Sequence, residues 1–371
     1  MYLLGITFFN WSVQIIEIKK NIMKKIYNSL RFILPLILLV VVASTSCNKD
    51  VPAAMPIVSS TAGSTIGDIL NTNPNFSILK AAVTKAGMMA AVSDKNNEFT
   101  VFAPSDAAFT LSGIPLAAIN ALPATSVASI VQYHVIPGRK LMSSAVPTSF
   151  PNVQMPTAFI IPAPNTNPLV RFSNFPSRRG DRVWVNNIPV VTPDVDAANG
   201  AIHVTAAVLA PPSRVLLDTI AREADMSYLV AAILRADAAT PAGSRFQDFL
   251  ANPLANLTVM APTNTAFNAL FTSLRLPASP ASFGLLPIAT VQGIVAYHVL
   301  VGRAFSPNLP TAATPVPTLL SASLPTAPLL TVDGTQGVRG ARNPSYSRIT
   351  AVDRHAINGV YHKIDQVLMP Q

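Results

Sequence analysis

Apolar and polar positions fall in one order twice along this chain. Thr100-Val101-Phe102-Ala103-Pro104-Ser105-Asp106-Ala107-Ala108-Phe109 returns as Thr258-Val259-Met260-Ala261-Pro262-Thr263-Asn264-Thr265-Ala266-Phe267. Each stretch predicts a buried strand that stops at Ala-Pro, because proline keeps the residue before it out of the α region. Ser105 and Thr263 then read as N-caps of a short helix, with Phe109 and Phe267 one turn in and turned towards the core. Upstream, Ile66 to Leu70 and Phe76 to Val83 have helical spacing, matched by Leu216 to Ile220 and Met226 to Ile233. Ser77 and Ser227 are expected to cap the second helix of each pair.

Downstream, helical stretches at Pro115 to Val131 and Pro280 to Val295 lead into Tyr133-His134 and Tyr297-His298. Long proline-rich sections follow, with strand candidates at Phe159 to Ile161, Leu169 to Phe172, Arg182 to Val185, Leu329 to Val332 and Ser347 to Val352. Each copy closes with Asn-Gly and an alternating apolar strand ending at proline, Asn199-Gly200 to Pro211 and Asn358-Gly359 to Pro370. The Asn-Gly pairs are expected to supply the positive φ angles of two-residue hairpin turns. The strands after them are expected to pair with Ile188 to Val191 and Ile349 to Val352.

These landmarks in one order, in duplicate, resemble the fasciclin-type domain. The resemblance covers nearly everything from about residue 63 onward. It implies an α+β fold of two tandem units, each a compact β-wedge or sandwich with several short helices. It also implies a role in adhesion or extracellular binding. Met260, where the family usually has an aromatic residue or Leu, and the long proline-rich insertions depart from the family pattern. The expected division is 63–212 for the first unit and 213–371 for the second.

The N-terminus changes the picture of where the protein works. Lys24, Lys25 and Arg31 precede an apolar run from Phe32 to Val42 and a small polar stretch, the form of a secretory signal peptide over residues 1–46. Met23 reads as the natural start, with residues 1–22 an upstream extension. Cys47 is the only cysteine and follows Ser44-Thr45-Ser46, which resembles a loose bacterial lipobox. Lipid attachment at Cys47 is therefore expected, with residues 47–62 as a tether and the membrane as a partner through the anchor. Asn48 points to the outer membrane of a bacterial cell envelope by analogy. The formal charge of +9 falls to +5 once residues 1–46, with five basic residues and one acid, are removed. So mild a balance does not argue for nucleic acid.

Candidate chemistry is sparse. There is no G-x-S-x-G elbow, no phosphate loop and no H-E-x-x-H or C-x-x-C pattern. No enzyme activity, metal or cofactor is expected. His134, His203, His298 and His362 form two equivalent pairs, and with Tyr133, Tyr297, Asn199, Gly200, Asn358 and Gly359 they are expected to be structural. Asp194 and Asp196 read as a solvated turn. Arg171, Arg178, Arg179 and Arg182 lie with Trp184 in the first insertion, and Arg339, Arg342 and Arg348 with Tyr346 in the second. Forked guanidinium donors beside aromatic faces suit acidic glycans. The expected function is an anchored adhesion or binding protein recognising an extracellular glycan or protein. The alternative is an enzyme or accessory acting on surface polysaccharide.

Overall fold

The computed structural model describes residues 63–161, 167 and 169–370. The expected signal segment, Cys47 and the expected tether lie outside the described residues. The first unit opens with the helices Ile66–Thr72 and Ser77–Lys85 and then forms strand β1 (Phe99–Pro104). Strands β2 (Val135–Pro137), β3 (Met155–Ile160), β4 (Arg171–Asn174), β5 (Pro176–Arg179), β6 (Arg182–Val185), β7 (Ile188–Ala197) and β8 (Gly200–Thr205) follow. Its main sheet runs β2-β1-β8-β7-β6-β5. The opening and closing strands lie side by side and parallel, Val101 opposite Ile202 and Phe102 opposite His203. The remaining strand neighbours in that sheet are antiparallel.

The second unit repeats the plan with β9 (Leu257–Pro262), β10 (Val299–Val301), β11 (Thr314–Val316), β12 (Leu330–Asp333), β13 (Gly337–Arg339), β14 (Ile349–Ala356) and β15 (Gly359–Ile364). Its order β10-β9-β15-β14 matches the first four strands of the other sheet. A separate three-stranded sheet, β11-β12-β13, occupies its insertion. Strand β15 is buried along its whole length, as a strand covered on both faces should be.

The matched sequence stretches do the expected folding work. Ser105 and Thr263 accept from the N–H groups of Ala108 and Ala266, each at 3.3 Å. Phe109 and Phe267 are buried against the helices of their own units. The expectation for Ser77 and Ser227 is corrected. Neither is the N-cap of its helix. Asp106 reaches across to the second helix of its pair, Ser77–Lys85, and accepts from Ser77 N–H and Ile78 N–H, and Asn264 accepts from Tyr228 N–H in the second unit. The residue after each capping Ser or Thr thus caps a second, distant helix and ties strand to helix pair.

The two units share a seam. Asn152 donates its N–H to the carbonyl of Arg303 at 2.7 Å and accepts from Phe305 N–H at 3.0 Å. Asn308 Nδ2 donates to Ser149 O, and Arg179 donates to Leu309 O. Phe175, Phe305 and Val360 form one buried apolar cluster across it.

Candidate functional site

The box residues are consumed by the fold. Asn199 Oδ1 accepts from Ile66 N–H at 2.8 Å, while Nδ2 donates to Val92 O and Asp94 O. Asn358 does the same with Leu216 N–H, Leu250 O and Asn252 O. Each asparagine clamps the first helix of its unit to the C-terminal end of the short helix before the opening strand, Met89–Ser93 or Phe246–Ala251. The expected hairpins form, with Ala197 opposite Gly200 and Ala356 opposite Gly359, but the expected backbone is corrected: neither asparagine is among the positive-φ residues, and of the two Asn-Gly pairs only Gly200, at φ +150°, has that conformation. The glycines serve close approach. A Cβ at Gly200 would lie 1.9 Å from Phe99 O, and one at Gly359 would lie 2.5 Å from Leu257 O.

Both ring nitrogens of all four paired histidines are occupied by backbone. His134 Nδ1 donates to Ile130 O at 2.8 Å and its Nε2 accepts from Leu209 N–H at 2.9 Å. His298 repeats this with Ile294 O and Leu368 N–H. His203 Nε2 donates to Leu141 O and His362 Nε2 to Ala304 O, each at 2.7 Å, while their Nδ1 atoms accept from Asp194 N–H and Asp353 N–H. A neutral imidazole fits each pattern, with one donor and one acceptor. Burial lowers His134 and His298 to about 4 and lowers His203 and His362 as well. Tyr133 and Tyr297 are buried with their hydroxyls bonded, Tyr133 to Ser173 O and Asn186, Tyr297 to Leu329 O and Ala341 N–H.

Asp194 is not a freely solvated turn residue. It stands at φ +61° in a bulge of β7 and bonds both the N–H and the hydroxyl of Ser143. Asp353 at φ +58° holds Ser306 in the same way. Asp196 is exposed and pairs with Lys140.

The arginine clusters do not stay together. Arg171 lies half-buried in a cleft between the units. Arg178 bonds Gly180 O beside the β5–β6 turn, and Arg179 belongs to the seam. Arg182 is exposed and Trp184 half-buried on β6. In the second unit Arg339, Tyr346 and Arg348 line one open cleft, with the Arg339 guanidinium 5.0 Å from the Tyr346 ring centre. Arg342 is exposed outside it.

Two features escaped the sequence reading. The first is a plug. Lys363 is 9% exposed and donates to Glu223 at 2.8 Å and Asp225 at 2.7 Å, and Tyr361 donates to Glu223 at 2.8 Å. The equivalent places in the first unit hold Val204, Asn73 and Asn75, around an open cleft that also includes Ser105, Asp106 and Thr192. Hydrogen bonds from Lys363 and then Tyr361 keep the Glu223 carboxyl below its usual value. The second feature is Arg303, 4% exposed, whose guanidinium lies 4.4 Å from the Phe175 ring centre of the other unit. Its N–H groups reach Asn256 Oδ1, His355 Nε2, Ala356 O and Ile357 O. One signal could have found it: Arg139 and Arg303 each follow the glycine after the Tyr-His pair. Among the described residues no group of three or more His, Cys, Asp or Glu side chains is placed to hold a metal.

The fasciclin domain model matches residues 74–211 and 236–370. A Synechocystis sp. protein, sll1483, is 31% identical over 152 residues, covering 40% of this chain and 74% of that protein. The transforming growth factor-beta-induced protein ig-h3 of Sus scrofa is 30% identical over 157 residues, 40% of this chain and 20% of that protein. Among solved structures, a FAS1 domain pair from the insect cell adhesion molecule fasciclin I is similar over 81% of this chain and 94% of its own, at 16% identity and a TM-score of 0.33.

Proposed function

Because the chain belongs to the fasciclin domain family and carries two copies in tandem, we propose that it is an adhesion protein of a bacterial cell envelope, anchored through lipid on Cys47 and binding an acidic extracellular glycan. A binding role is what the family supplies; the ligand and the anchor are the proposal. The observation that carries it is the open cleft of the second unit, where Arg339 stacks on Tyr346 and Arg348 stands exposed beside them. A stacked guanidinium keeps its fork edge for a carboxylate or sulfate, and the ring offers a face to a sugar. The box residues, by contrast, have their polar atoms committed to the backbone. Single contacts of this kind are weak, so anchored copies acting together would supply the avidity.

The test is binding of residues 48–371 to an array of acidic and neutral glycans across a salt series. The parent should bind acidic glycans and lose them as salt rises, and Arg339→Ser with Arg348→Ser should sharply reduce the preference for the acidic ones. Equal binding by parent and variant would sink the surface. Mass spectrometry of the native N-terminus checks the anchor, and an unmodified Cys47 inside a longer chain would refute it.

A further inference from the structure

The described residues contain two buried cations, Lys363 and Arg303, and they are treated differently. Lys363 meets two carboxylates. Arg303 meets none among the described residues: its four hydrogen bonds go to an amide oxygen, a neutral imidazole and two backbone carbonyls. Those acceptors satisfy N–H groups and leave the charge itself without a counterion, an unusual state for a buried ion. Four of the five guanidinium N–H groups are used, which leaves one on Nη2.

Arg303 also lines the cleft between the two units, a cavity of about 170 Å³. Arg171 enters the same cleft from the first unit. Its Nη1 bonds Thr157 O and Ala158 O, which leaves the Nε–Nη2 edge, the one suited to a carboxylate, without a described partner. None of the described lining residues is acidic. Gln154, Ser173 and Asn256 supply amide and hydroxyl groups, and Leu254 offers an apolar wall. The cavity is smaller than the roughly 300 Å³ at which drug-sized sites begin, so it admits one small group and not a segment of chain.

We propose that this inter-unit cleft is a carboxylate-binding subsite that takes a single uronic acid residue of a glycan, with Arg171 gripping the carboxylate and Arg303 supplying the buried counter-charge. The assignment rests on the acidic-glycan reading above and adds a place and a sugar to it. The site is built from both units, so it exists only while the seam is closed.

Calorimetric titration of the full chain with galacturonate, galactose and the dipeptide Ala-Ala tests it, together with nitrogen NMR of the arginine side chains. Galacturonate should bind in the millimolar range, galactose should not, and Arg171→Gln should weaken galacturonate about tenfold. The Arg303 Nε resonance should move on titration. A galacturonate response no different from that of galactose, or one untouched by Arg171→Gln, would overturn the subsite. Ala-Ala binding as tightly as galacturonate would overturn the sugar. Polymer binding that persists while galacturonate fails would refute this subsite and leave the Arg339–Arg348 surface standing.

Discussion

The two domains share a skeleton and solve one local problem in opposite ways. Beneath the closing strand, the second domain plugs a cleft with Lys363 between Glu223 and Asp225; the first leaves the cleft open around Asn73, Asn75 and Val204. The clamps, caps and histidine bonds around that spot are the same in both. Backbone position is therefore set by the box residues, and the polarity of the cleft is free to vary. The contrast between Arg139 and Arg303 has the same form. Arg139 is half-buried, whereas Arg303 is covered because the other domain docks on it.

The comparison can be broken most severely with acid. Every described histidine has a folded value below its unfolded value near 6.5. As pH falls, the unfolded chain takes up protons first, so stability is full above about pH 6.5 and drains towards pH 4. His134 and His298 should each withdraw roughly 3 kcal/mol over that window. The second domain carries a third such group, His355, lowered by burial and by the Arg303 charge, and should melt first. Urea unfolding across the pH range, followed by near-ultraviolet dichroism, measures this; a pH-independent midpoint would contradict it.

Next in size is Gly200→Ala. The added methyl meets a carbonyl oxygen that the parallel pairing fixes, and the φ of +150° is hostile to alanine. A loss of about 3 kcal/mol or more is expected in the first domain. Gly359→Ala should be milder, since its φ lies outside the positive region and the fixed carbonyl it meets, Leu257 O, would be 2.5 Å from the added carbon where Phe99 O is 1.9 Å from that at Gly200. Equal losses in thermal melts would show that the strand contact alone decides.

Asn199→Asp and Asn358→Asp test the clamps. The aspartate still accepts from the helix N–H but faces two carbonyls with no donor. About 2 kcal/mol should be lost in either domain, and the two values should agree.

The smallest expected effect sharpens the contrast. Lys363→Met removes the buried cation but leaves carboxylates that water already reaches, so about 1 kcal/mol is expected. Asn73→Glu, Asn75→Asp and Val204→Lys together should build the same plug in the first domain with a change of about 1 kcal/mol or less. A large loss would mean that the cleft is shaped by more than these three positions.

Much of the skeleton was legible in the sequence, because strand, proline, cap and buried phenylalanine act through neighbours on the chain. Ser105, Thr263, Phe109 and Phe267 were readable for that reason. The helix caps supplied by Asp106 and Asn264 were not, since the helices they serve lie about thirty residues away or more. Asn-Gly marked the two hairpins correctly, but the asparagine closes each two-residue turn without a positive φ, because its side chain is committed to the distant helix clamp. The arginine clusters were close in sequence and separate in space, because adjacent strand residues face opposite sides and only docking decides which become buried. Arg303 had no local pattern to announce a role made by the other domain.

The parallel pairing of opening and closing strands has a consequence for synthesis. Strand β8 sits between β1 and β7, so the first sheet has a gap at its centre until residue 205 has been made. His134 waits longer, for the N–H of Leu209. A ribosome-bound chain ending short of that point would expose the edge of β1 that β8 later covers, which invites pairing with other chains. Chaperone holding would matter most in that interval, which would recur in the second domain until Leu368 supplies the partner of His298.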